Sequence, residues 1–188
     1  MRKYLTKKNL LILALALIAL TSLTVTIIVL TRNNEEVMEE IIDPLAIPAF
    51  APGAADLNAR QDDESDEKLE APIGGGAVTL TYAGQVNIDL SKAEASFTFK
   101  NPARSTQDLI LQLVILHGDE QIVVAQSGLV PAGYSLSVMP VQRVSLLGEG
   151  LYKGQYNVLF YDPETKERAA VNAVIPVDIV TWKELPAD

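Results

Sequence analysis

The single histidine, His117, stands in "HGDEQ" beside Asp119 and Glu120, and an imidazole next to two carboxylates has the chemistry of a metal site or a general base. Either role needs partners converging from elsewhere in the chain. Three residues of one short turn do not supply them, so a solvated hairpin tip is the expected reading. Ser127 lies in "AQSGL", which lacks the Gly-x-Ser-x-Gly elbow, and a serine without its base is no nucleophile. Asp62, Glu64 and Asp66 fall at the first, third and fifth places of an EF-hand-like loop. Glu67 replaces the glycine needed at the sixth place, and Ile73 the glutamate at the twelfth, so no calcium loop is expected. Gly74, Gly75 and Gly76 lack the Lys-Ser/Thr of a P-loop and precede a strand, which makes them a hinge. No catalytic, cofactor-binding or metal-ligating residue is assigned. The chain reads as a non-enzymatic protein.

What carries these residues divides into four parts: a basic start over residues 1–9, an apolar run over 10–31, a linker over 32–76 and a strand-rich domain over 77–188. Leu10 to Leu30 holds no charge and no proline. At a rise of about 1.5 Å per residue it spans about 31 Å, the thickness of a bilayer core. A secretory signal has a shorter apolar core followed by a small-x-small site; here Thr31, Arg32, Asn33, Asn34, Glu35 and Glu36 follow, so an uncleaved transmembrane helix is expected. Arg2, Lys3, Lys7 and Lys8 precede the run and only Arg32 follows it closely, which orients the N-terminus to the cytoplasm and the rest outside it.

The linker begins with "EEVMEEII", a helical collar, and continues with prolines at 44, 48, 52 and 72 around an acidic block, the composition of a disordered tether. The chain has no cysteine, so an exported domain must be held by its core alone. A net charge of −9 argues against a nucleic-acid partner, which requires a basic footprint, and none is expected.

From Ala77 onward, short strands alternate with turn clusters. "EASFTFK" places Ala95, Phe97 and Phe99 on one face and Ser96, Thr98 and Lys100 on the other. "DLILQLVIL" is apolar enough to lie centrally, covered over most of its length. "YSLSVMPVQRVSLL" is one bent strand or two, with Pro140 marking an edge or a bulge, and the last strand, "RAAVNAVIPVDIVTW", is expected to bend or bulge near Pro176. The sum is an all-β domain: an antiparallel β-sandwich of about seven strands with one core.

"LYKGQYNV", Leu151 to Val158, resembles the entry to strand F of immunoglobulin-like domains. On that resemblance Tyr156 is the corner tyrosine, and Val158 sits where antibody-type domains place a cysteine. The chain departs from the antibody type in having no disulfide pair and its one tryptophan, Trp182, near the far end. The wider layout, with "NPARSTQDLILQLVI", "AQSGLVPAG" and "GQYNVLFYDPETKERAAVNAVIPV" behind one span and an acidic linker, is similar to small uncharacterised membrane-anchored proteins of Firmicutes, some associated with mobile elements. That resemblance implies a place and a shape, and no activity. Some Gram-positive adhesin and pilin domains of like architecture carry a Lys to Asn cross-link, for which Lys92 or Lys100 with Asn157 or Asn172 are the available pairs; exposed strand and turn positions account for each of them.

The expected function is that of a membrane-tethered interaction module: lipid bilayer through residues 10–31, a protein partner through a free sheet edge or end loops, and no cofactor. The alternative is an adhesin or pilus-like surface component binding carbohydrate or host protein, which a groove containing Tyr134 and Tyr152 would favour.

Overall fold

The structure is a computed structural model that describes residues 43, 45–62, 67–73 and 75–183. The fold reported is that of the unit Pro44–Asp188. The expected span over 10–31, the collar "EEVMEEII", and Glu64, Asp66 and Gly74 of the motifs above lie outside the described residues. Among the described residues no helix is long and apolar enough to cross a membrane.

The described elements are all strands apart from one 3-10 turn, Val144–Leu146. They are β1 (Ala59–Gln61), β2 (Thr81–Tyr82), β3 (Gln85–Asp89), β4 (Glu94–Asn101), β5 (Asp108–His117), β6 (Glu120–Gln126), β7 (Tyr134–Pro140), β8 (Gly150–Tyr161) and β9 (Arg168–Trp182). They form one sheet in the order β1-β7-β4-β3-β9-β8-β5-β6, with β2 attached to β4. Every ladder is antiparallel except β3 with β9, which run parallel from Gln85 beside Asp178 to Asp89 beside Trp182. The purely antiparallel expectation is corrected at that ladder. Parallel neighbours need a crossover, and here most of the domain lies between the two strands.

Aromatic contacts show that this sheet curls. β4 and β8 are three strand spacings apart along the sheet, roughly 14 Å if it were flat. Yet Phe99 of β4 meets the ring of Tyr156 of β8 edge-on at 5.5 Å, and Phe97 approaches the same ring at 5.8 Å. The two halves therefore face each other like the layers of a sandwich. On β4 the expected alternation is realised, with Ala95, Phe97 and Phe99 buried in the main core.

β5 is buried along its first eight residues, and both of its faces have cover. Leu109, Leu111, Leu113 and Ile115 enter the main core, while Ile110 joins Leu129, Leu159 and Tyr161 in a second cluster packed by Ala51. Ala51 lies in the stretch expected to be a disordered linker, which corrects that expectation for residues 45–62. Leu45 is buried. The amides of Gln112 and Gln126 donate to the carbonyls of Leu45 and Ala46, each at 3.2 Å. The Tyr161 hydroxyl donates to the Pro48 carbonyl at 2.9 Å. Arg168 N–H donates to the Ala49 carbonyl at 3.2 Å, and Ala51 N–H to the Lys166 carbonyl at 2.7 Å. Asp56 accepts from Gly128 N–H at 2.5 Å, and β1 then pairs with the start of β7. This stretch is a strap over the outer face of β5 and β8. It binds mostly through backbone N–H and C=O groups, which nearly every residue owns, so composition gave no warning of it.

Proline positions also differ from expectation. Pro176 sits in unbroken register opposite Gln155, and the irregularity of β9 falls nearer its start, between the Asn172 and Arg168 pairings. Pro140 ends β7, and the residues after it form the 3-10 turn in place of a further strand.

Candidate functional site

The ends of a sheet carry unpaired N–H and C=O groups, so each edge was a candidate for strand addition. At the β6 edge, Gln142 accepts from Gln126 N–H at 3.1 Å and donates to its carbonyl at 3.2 Å, while Arg143 N–H donates to Val124 at 3.1 Å. A glutamine side chain and the following backbone therefore occupy the outer side of β6 at Val124 and Gln126. At the opposite end, β1 offers a ladder of three residues.

An opening lies inside the sheet instead. β3 pairs with β9 only at Asp178 to Trp182, while β8 covers the other side of β9 along most of its length. No described strand pairs with Ala169–Val177 on the β3 side. The chain before β3 turns away, because Thr106 and Ser105 hold residues 77 and 79 and β2 pairs with β4. A groove of about 950 Å³ separates Gly76, Val78 and Leu80 from Ala169, Val171 and Ala173, with Phe160 and Gln107 also lining it.

The chemistry of this groove is that of backbone hydrogen bonds beside apolar side chains on one part and Asp162, Glu167 and Arg168 on another. Asp178 N–H donates to Gly84 and the Trp182 carbonyl accepts from Leu90, so even-numbered residues of β9 direct their backbone groups toward β3. Strand alternation carries that direction on to Pro176, Val174 and Asn172. Pro176 has no N–H to offer, whereas Val174 and Asn172 present both donor and acceptor to the open side. Val171 and Val174 are largely exposed. At the rim, Asp162 accepts from the N–H groups of Thr165 and Glu164, each at 2.8 Å, and these bonds hold its carboxyl below the usual carboxylate range.

The residues singled out from sequence are dispersed. His117 is exposed beside Gly118, whose φ of 60° makes the tight turn, and among the described residues no group of acids, histidines or cysteines could hold a metal. Ser127 is buried, donating to Gly128 at 2.7 Å and accepting from Leu111 N–H at 2.9 Å, so it bridges β5 to the chain after β6. Asp62 pairs with Lys100 at 3.2 Å, and Lys92 pairs with Asp89 at 3.0 Å and lies over the Trp182 ring. Asn157 accepts from Gln155 at 2.9 Å, and Asn172 is exposed on β9.

Tyr156 is fully buried, and its hydroxyl has no partner among the described residues, so it makes no corner hydrogen bond. Burial pushes its pKa well up. Tyr134 and Tyr152 stand on β7 and β8, packed against the core, and neither lines the groove. The groove itself had no sequence motif. Its faint signs were a proline inside a long last strand and alanines on that strand's first half.

No family model matches the chain, and no curated protein matches it. Among solved structures, AggA, the major subunit of aggregative adherence fimbriae type I from Escherichia coli, is similar with a TM-score of 0.29 and 12% identity, over 62% of this chain and 100% of that one.

Proposed function

We propose that the protein is a non-enzymatic, membrane-tethered interaction module of a bacterial envelope or mobile-element-associated assembly. Residues 10–31 anchor it, its N-terminus is cytoplasmic, and its sandwich binds an extended segment of a protein partner along β9. The observation that carries the binding mode is the unpaired side of Ala169–Val177 at the mouth of a groove of mixed polar and apolar lining, when the end of the β6 edge is capped by its own chain. Strand addition uses these groups: main-chain bonds supply affinity and alternate side chains supply selection.

The immunoglobulin-like reading belongs to the same proposal. The succession β9-β8-β5-β6 in one half and β3-β4-β7 in the other matches the G-F-C-C′ and A-B-E order of such sandwiches. Tyr134 and Tyr152, whose grouping in a groove would favour the carbohydrate-binding alternative, do not line the groove beside β9.

The test is a cross-linking pull-down from native membranes, with full-length protein tagged at its C-terminus beside a control lacking residues 77–188. Enrichment of one membrane complex that requires the sandwich supports the module. Equal recovery from both baits overturns it.

A further inference from the structure

We propose that residues 45–61 form a releasable clasp, a segment that leaves the sandwich as a unit when the chain is pulled from its N-terminal side while β3 to β9 stay folded. The proposal rests on the membrane-anchor reading only for the source of tension.

Three observations carry it. The strap contributes little to the core: of its side chains Leu45 alone is a buried hydrophobic, with Ala51 and Ala59 partly packed. Segments with few buried apolar contacts lie at the low end of local stability. Its attachments also follow one another in chain order, from the carbonyls of Leu45, Ala46, Pro48 and Ala49 to the β1 ladder. A load entering at Leu45 peels the strap from its N-terminal end, so these bonds give way together in one early event. The sandwich, by contrast, is closed by the long β8 and β9 ladder and a common core.

The third observation is what the strap covers. Ile110, Leu129, Leu159 and Tyr161 form a separate apolar cluster under it, and release would present that cluster to solvent.

The chain contains no cysteine, so full-length protein in detergent accepts handles uniquely at Asp43→Cys and Asp188→Cys for optical-tweezer extension. Two events are expected. The first releases the 17 residues 45–61, at most about 60 Å of contour, and the second, at no less than twice the force, unfolds the sandwich. Tyr161→Phe, which removes only the hydroxyl bonded to Pro48, lowers the first force and leaves the second unchanged. A single event, or two forces that fall together in the variant, overturns the clasp. Membrane anchoring is judged separately, by whether the full chain resists alkaline extraction.

Discussion

The hydroxyl of Tyr161 donates to the carbonyl of Pro48 at 2.9 Å, joining residues 113 positions apart. Burial pushes the Tyr161 pKa up, against the opposing charge of Arg168, so the phenol keeps the proton it donates at neutral pH. Tyr161→Phe keeps the ring in its cluster and deletes the bond. The expected loss is about 1 kcal/mol in chemical denaturation. A variant as stable as the parent would show that the strap is held without it.

Tyr156 should respond in the opposite sense. Its hydroxyl is buried with no partner among the described residues, a state that costs about 1–3 kcal/mol. Tyr156→Phe retains the contacts with Phe97 and Phe99 and removes the cost, so a higher melting temperature is expected. A fall in melting temperature would mean that the hydroxyl is bonded after all.

Gly154 allows β8 to press against β5. A Cβ there would meet the Val114 carbonyl oxygen at 2.6 Å as well as the side chain of Ile179. The carbonyl belongs to a paired strand and cannot move aside cheaply. Gly154→Ala should destabilise the domain by about 1–3 kcal/mol, read as a lower denaturation midpoint at constant slope.

Burial of the Asp89 carboxyl works to raise its pKa, but the Lys92 ammonium and the N–H groups of Ser91 and Lys92 outweigh burial and hold it below its ordinary value. A depressed folded pKa gives stability that is present above the unfolded value, about 3.9, and is lost as pH falls through the folded one. Asp89→Asn should therefore melt below the parent at neutral pH, and the gap should close in acid below the unfolded value. A gap that persists unchanged at low pH would assign the effect to packing.

Val174→Pro removes an N–H from the open side of β9 at an exposed position. Partner recovery in the membrane pull-down should drop at least tenfold, while circular dichroism of the variant keeps its strand signal. Full recovery with that signal intact would move the binding surface to another part of the sandwich.

The strands were legible where pattern and burial coincide. "EASFTFK" alternates because one face of β4 meets the core, and "DLILQLVIL" is continuous because β5 is covered on both faces. What covers it was illegible, since the strap holds on largely through backbone groups, with Leu45 and Ala51 its main apolar contacts, and prolines and alanines elsewhere mark free linkers. The parallel β3 and β9 ladder was hidden for another reason: it depends on where the sheet closes, which no local stretch encodes. For the groove, the sequence supplied Pro176 but no indication that β3 would pair with only the last five residues of β9.

The strap also sets an order of events during biosynthesis. Its docking partners Tyr161, Lys166 and Arg168 leave the ribosome more than a hundred residues after Pro48, and β3 must likewise wait for β9. Such distant pairings carry a high entropy of closure and fold slowly. The earliest part of the domain to be made is thus among the last to find its place, and a chain that ends before β9 can close neither its sheet nor its strap.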